Sequence, residues 1–491
     1  MLCPRTPFRG QSTTPSNAWN YGLGRENKNR NHKIRLEEQK MKKAISLLLA
    51  LVMLCSLLVA CGNGKTTEQP AASAAGETKA EEKPAADTAS EKTTITVLRP
   101  GDQDKVASFL EPAIEAFEKE NPDIHVKPMY ESWAGWIQTY PTYFEADTQP
   151  DVIFWWDNKL HDSSANSHLV NLAPYLSDEL TKKIPEGVWN LVDPGDMDGL
   201  YYIPSSVDTF VLYYNKDVFK EAGLDPDAPP TNWDELLNAA KTIKEKTGKP
   251  GIGVPAINGA EVLEEFVGCF LNQATDAPIM DSNSMPLFNT PEGLEALKFL
   301  EQLWPYVQES PTEYGRGELR PLMRDGQIGM LIEGPWAVST MIAGYGEDFT
   351  KDGPVGIAEL PVGPNGKKIT WAGTNGWIAT RESTAEASAK FIEYLMSDEV
   401  LKQHHLVYGS GPLYASELED PAFQHDYWDV FYRETQEFSL FGMIGRNSAT
   451  PAAYYTALEE VWQQFLLGQL DAQGAMDAAV AAVEGVTARN S

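Results

Sequence analysis

Trp155-Trp156-Asp157 comes directly after Asp151-Val152-Ile153-Phe154, a run that reads as a buried strand. Two indole rings and a carboxylate at a strand end put stacking surfaces beside a hydrogen-bond acceptor. A ligand with an apolar face of C–H groups and a rim of hydroxyls needs both. Successive strand residues face opposite ways, so one tryptophan should point at a ligand and the other should pack, and the sequence does not say which. An acid after three large apolar residues is poor core material, which favours a functional Asp157. Trp133, Trp136 and Tyr140 stand at helical spacing and read equally well as cleft lining or as a buried stripe.

Motifs for covalent chemistry are missing. No Gly-x-Ser-x-Gly elbow occurs, and Gly409-Ser410-Gly411 is too short to form one. Gly363-Pro364-Asn365-Gly366-Lys367-Lys368 lacks the four-residue gap and the Ser or Thr of a phosphate loop. His404-His405 has neither i, i+4 spacing nor nearby cysteines, so no metal and no cofactor is expected. Acid pairs of the glycosidase kind cannot be sought by spacing among so many carboxylates.

Of 40 Lys and Arg, 10 fall in residues 1–60, which hold only 3 of the 70 Asp and Glu; beyond Cys61 the balance is −37. Such a field repels nucleic acid and anionic lipid. With 13 Trp, 19 Tyr and 18 Phe among 491 residues, the chain can fill large cores. The cysteines are Cys3, Cys55, Cys61 and Cys269; Cys269 has no partner downstream of the leader, so no disulfide framework is expected.

Met41-Lys42-Lys43, the apolar stretch Ala44–Ala60 and Leu58-Val59-Ala60-Cys61-Gly62 compose a secretory signal over 41–60. Its end resembles the lipobox of bacterial lipoproteins, which implies a lipid on Cys61 and an extracytoplasmic protein anchored to the cell membrane. The alternative, a retained transmembrane anchor, has only 17 residues to span with. Residues 1–40 are basic, without periodicity, and read as an upstream extension foreign to the mature protein. Residues 61–92 have no aromatic residue and read as a disordered tether.

From Thr93 the pattern is α/β. Ile95, Val97 and Leu98 form a strand; Val106, Leu110, Ile114 and Phe117 form a helix that should start or kink at Pro112; Ile124 and Val126 alternate as a second strand. Thr231 is expected to cap a helix carrying Leu236, Leu237, Ala240 and Ile243, with Asp234 in the capping-box position. An Ala-rich helical region runs from about Ala453 to Val486.

Tyr201-Tyr202-Ile203-Pro204, Val211-Leu212-Tyr213-Tyr214-Asn215-Lys216-Asp217, Ala222-Gly223-Leu224 and Pro229-Pro230-Thr231-Asn232-Trp233-Asp234-Glu235 together resemble the family 1 extracellular solute-binding proteins. Met323-Arg324-Asp325-Gly326-Gln327-Ile328-Gly329-Met330, Gly334-Pro335-Trp336, Gly373-Thr374-Asn375-Gly376-Trp377-Ile378-Ala379 and Phe391-Ile392-Glu393-Tyr394-Leu395-Met396-Ser397 extend the likeness over most of 93–491. The resemblance implies a two-lobed periplasmic-binding-protein-like fold. Its discontinuous lobes, 93–207 with 376–425 and 208–375 with 426–491, would be joined by hinge strands and would close on a ligand.

It also implies the site. Trp155, Trp156 and Asp157 would form a ligand-facing loop, Trp336 would stack, neighbouring Glu333 would accept ligand hydroxyls or cap a loop, and Asp208 at the lobe crossing would take sugar hydroxyls. Asp102 follows the first strand, where a solvated turn is the competing reading; Trp371 and Asn375 flank a turn. Arg446 would bind an acidic sugar, a hydroxyl or a protein carboxylate. The function implied is capture of a sugar or oligosaccharide by a monomer that docks on ABC permease subunits, without catalysis. A receptor for a membrane sensor and a lipid-anchored carbohydrate-active enzyme are the alternatives.

Overall fold

The computed structural model describes residues 92–162, 165–189, 191–192, 198–257, 262–275, 279–281, 285–441 and 448–490. The expected leader, lipidated Cys61 and Arg446 lie outside them. Among the described residues, no helix is long and apolar enough to cross a membrane.

Alternating apolar residues build β1 (Thr93–Leu98) and β2 (Ile124–Met129), which pair in parallel through helix α1 (Gln103–Glu120). Contrary to the sequence reading, α1 begins nine residues before Pro112 and runs through it. Pro112 and Ser108, whose carbonyl loses its donor, are both on the exposed face, so water can take that bond. Helix α2 (Trp133–Glu145) leads to β3 (Val152–Trp156), which extends two residues beyond the expected strand because Trp155 and Trp156 pair with Gly376 and Asn375. β4 (Ile203–Thr209) follows, and after one residue the chain enters a second sheet at β5 (Val211–Asn215).

Helix α3 (Trp233–Thr247) is capped by Asn232, not Thr231. The Asn232 side chain accepts from the Glu235 N–H at 3.0 Å, and the Glu235 carboxylate accepts from both Thr231 N and Oγ1 at 2.8 Å. The box was read one residue early. Then come β6 (Ile252–Gly253), α4 (Val262–Thr275), α5 (Pro291–Leu303), α6 (Arg316–Arg324), β7 (Met330–Glu333) and β8 (Val355–Ala358). The order β6-β7-β5-β8 makes a four-stranded sheet.

β9 (Ile369–Ala379) crosses back as one strand, followed by α7 (Ala385–Leu395), α8 (Asp398–Tyr408), α9 (Asp426–Glu437), β10 (Ser439–Phe441), α10 (Pro451–Leu466) and α11 (Ala472–Asn490). The other sheet has the order β10-β9-β3-β1-β2, with β4 on β9. The molecule is thus two α/β lobes. One packs α1, α7 and α8 around Ile95, Phe154 and Trp377; the other packs α3, α4, α5, α10 and α11 around Leu212, Phe270 and Trp462.

Candidate functional site

β4 and β9 are antiparallel between the lobes, and the ladder slips at Ser205, which bulges. Bulges re-aim the side chains that follow them. Two residues past Ser206, Asp208 is buried, and its Oδ2 accepts from Asn375 Nδ2 at 3.1 Å and Ser206 Oγ at 3.3 Å. Oδ1 has no hydrogen-bond partner among the described residues. Burial raises the Asp208 pKa to about 6, although Asn375, His405, Ser206 and Arg99 all pull it down.

On the side of the larger sheet, Trp155 is fully buried among Trp136, Tyr140 and Phe144. It is the tryptophan that packs, which corrects its place in the expected ligand-facing loop. Trp156 is partly exposed, and its ring centroid lies 4.9 Å from that of Trp133, also partly exposed. Of the stripe on α2, then, Trp133 joins the surface while Trp136 and Tyr140 are core. Asp157 is partly exposed directly after β3. Asp102 is exposed and caps α1, accepting from Lys105 N at 3.1 Å.

Behind this wall the Arg99 guanidinium is buried against the rings of Tyr408, Phe154 and Trp133, at 3.1, 4.6 and 5.9 Å from their centroids. Burial lowers its pKa to about 10. Its Nε lies 3.3 Å from His404 Nε2. His405 places Nε2 2.7 Å from the Ser205 carbonyl and Nδ1 2.6 Å from Glu417, which also accepts from Leu413 N and Tyr414 N. A carbonyl only accepts, so Nε2 carries a proton; with Glu417 ionised, Nδ1 carries one too. Burial opposes this, but Glu417 and the Ser205 carbonyl hold the His405 pKa above the usual histidine value. The histidine pair is structural, and no metal-binding group of three such side chains occurs among the described residues.

The other lobe contributes Trp336, partly exposed, with Phe210 and Trp371 beside it; the latter two rings stack at 4.6 Å. Trp371 is 8% exposed, so it backs the plate more than it offers a face. A Cβ on Gly334 would lie 2.6 Å from the Trp336 ring, so only glycine lets the indole fold over its own loop. Glu333 is fully buried and accepts from Gly334 N at 3.0 Å, from the Trp336 indole N–H and from Arg316 Nη1 at 3.0 Å. Burial raises its pKa, but Arg316 and Arg320 more than offset that and hold it below the usual carboxylate range. Glu333 is therefore committed to Arg316, Gly334 and the edge of the Trp336 indole.

The lobes touch here. Gly409, the left-handed cap of α8 at φ +75°, lies where an added Cβ would meet the Pro335 carbonyl at 3.3 Å and Trp336 Cα at 3.6 Å. The hinge strands thus join Asp208 on β4 to Asn375 on β9, and Asn375 pairs with Trp156 on β3; Asp157 follows β3, Asp102 follows β1, and Trp336 stands on the other lobe across the Gly409 contact. Sequence reasoning missed Phe210, Arg99 and Arg316. Each acts through a partner distant in sequence, which leaves no local signal.

The profile of the bacterial extracellular solute-binding protein family matches residues 100–402. The chain belongs to this family. It is 25% identical over 383 residues to a maltooligosaccharide ABC transporter solute-binding lipoprotein of Streptococcus pneumoniae, a match covering 74% of this chain and 78% of that one. To an arabinooligosaccharide-binding protein of Halalkalibacterium halodurans it is 28% identical over 241 residues, 47% of this chain and 51% of that one. In structure it resembles an ABC transporter solute-binding protein of Thermotoga lettingae bound with α-D-tagatose, with TM-score 0.69 and 24% identity over 81% of this chain and all of that one. A cyclic α-maltosyl-1,6-maltose-binding protein of Arthrobacter globiformis gives TM-score 0.67 at the same identity and coverage. As a solute-binding protein, the chain has its two lobes and crossing strands where a closing cleft needs them.

Proposed function

We propose that this protein is an extracytoplasmic receptor that closes on a neutral sugar or oligosaccharide and delivers it to an ABC importer. The observation that carries this reading is a partly exposed aromatic surface on each lobe, Trp156 with Trp133 on one and Trp336 on the other, with a buried Asp208 on the crossing strand whose Oδ1 has no partner among the described residues. Rings stack on the C–H face of a pyranose, and the carboxylate takes its hydroxyls. Asp102, Asp157 and Asp208 give the cleft a negative field, and Arg316 is engaged by two carboxylates, which disfavours an anionic solute. Carbohydrate relatives add weight.

The same reading has Cys61 carrying the lipid, 61–92 as the tether, a monomer as the docking form, and binding without turnover. The lobes are taken as 93–207 with 376–425 and 208–375 with 426–491. Thermal unfolding of residues 93–491 against neutral sugars, oligosaccharides, polyols and sugar acids tests the core claim. A solute at 100 times its Kd adds about 2.7 kcal/mol of stability. A selective rise with a neutral carbohydrate is expected; a rise confined to sugar acids, or none across a broad panel, rejects the neutral-carbohydrate assignment. Membrane fractionation of Cys61→Ser, expected to release the protein, tests the anchor.

A further inference from the structure

Trp336 is held at its edge and beneath its face by one network. The indole N–H donates to Glu333 Oε1, and the same oxygen accepts from Gly334 N at 3.0 Å and Arg316 Nη1 at 3.0 Å. Arg316 opens α6, and its Nη2 meets Glu265 at 2.5 Å. Arg320, one turn later on the same helix, reaches Glu333 Oε2 at 3.4 Å. The Arg316 guanidinium lies 4.8 Å from the centroid of Phe210 and 5.6 Å from that of Trp336, where cation–π attraction is effective.

We propose that Arg316 is a positioning residue that fixes the plane of Trp336 by clamping Glu333 and by lying against the rings of Phe210 and Trp336. The proposal rests on the reading of Trp336 as a stacking plate. The geometry requires an arginine. One fork must meet two carboxylates from different elements, Glu265 on α4 and Glu333 on β7, while its flat face stays against two rings. A lysine ammonium supplies the charge without the fork or the plane. Without Arg316, the fully buried Glu333 would keep one cation at 3.4 Å, and a carboxylate so poorly compensated must protonate or turn toward water. Either change loosens the indole N–H that depends on it.

The same clamp bears on specificity. Arg316 and Arg320 balance Glu265 and Glu333, so the wall under Trp336 is electrically neutral, and both terminal nitrogens of Arg316 already have carboxylate partners. Such a wall suits an uncharged ring, and Arg316 has no terminal nitrogen left for a carboxylate or phosphate on the solute.

The test uses protein labelled with 5-fluorotryptophan, with the Trp336 resonance assigned by its loss in Trp336→Phe. In ligand-free Arg316→Met that resonance is expected to shift or broaden while the resonance of buried Trp155 stays in place, and maltotriose affinity is expected to fall at least tenfold. Arg316→Lys should lie between Arg316→Met and the parent on both measures. An unmoved Trp336 resonance in a folded Arg316→Met overturns the proposal. If affinity falls while the resonance is unmoved, Arg316 contacts the solute directly and the proposal is equally overturned. Should Arg316→Met fail to fold, the resonance in Arg316→Lys decides. If the parent protein does not bind maltotriose, the failure belongs to the assumed solute, and the ligand-free resonance still decides the role of Arg316.

Discussion

Asn375 on β9 donates its side-chain amide to Oδ2 of Asp208 on β4 at 3.1 Å, while Oδ1 of the same carboxylate is buried and has no partner among the described residues. The bond joins the two hinge strands at the place where one acceptor is still open. An ionised Asp208 therefore has acceptor capacity to spare, whereas a protonated one has lost charge and acceptor strength.

Solute affinity should fall as pH drops below about 6, the value to which burial raises the Asp208 pKa. A bound hydroxyl favours the ionised form, so binding should release protons near pH 5–6. Calorimetry in buffers of different ionisation enthalpy checks this. Asp208→Asn should bind more weakly and lose the pH dependence; an unchanged pH profile in that variant would remove Asp208 from the site.

Trp336→Ala and Trp155→Ala should separate cleanly. Losing an aromatic anchor from the cleft should weaken binding by about 1–3 kcal/mol with little loss of stability. Emptying the fully buried Trp155 position should cost about 3–5 kcal/mol of folding stability. Titration of each variant alongside its urea midpoint is the check, and the opposite pattern would exchange the two roles.

Gly409→Ala should weaken solute binding. A Cβ there meets the Pro335 carbonyl at 3.3 Å across the lobe boundary, and φ +75° adds backbone strain of about 1 kcal/mol. Small-angle scattering with saturating solute should show a more open shape than the parent protein gives. An equally compact complex would mean that the contact does not limit closure.

His405 sets a stability dependence with the opposite sign from a surface carboxylate. Its folded pKa is raised, so its contribution is complete below the unfolded histidine value of about 6.5 and disappears as pH rises through the folded value. Stability should decline on the alkaline side, and His405→Gln should flatten that slope. Denaturation midpoints from pH 6 to 9 would show it.

Much of the fold was legible because β1, β2 and α3 carry their burial pattern locally, in alternation or in helical spacing. The exceptions have local physics of their own. Pro112 sits on a solvent face where water can replace the lost hydrogen bond, and the cap of α3 is Asn232 because Glu235, not Asp234, completes the box. At the site, the family resemblance pointed to Trp336 and Asp208, but residue type could not tell Trp155 from Trp156, since only pairing to β9 sets which ring turns inward. For Glu333 the sequence leaves open a ligand acceptor or a loop cap; it does accept from Gly334 N, but nothing near it in sequence announces Arg316, 17 residues earlier.

β9 passes between the lobes without a break, its residues 369–371 pairing with β10, 372–377 with β4 and 375–379 with β3. Lobe motion about such a strand can be taken up as a change of twist, with the ladder kept intact. The β9 crossing itself then has no loose chain to order, and it adds little conformational entropy to the cost of closing. That crossing subtracts little from what the solute contacts supply, and it can open for release as smoothly as a bent leaf of steel relaxes in torsion.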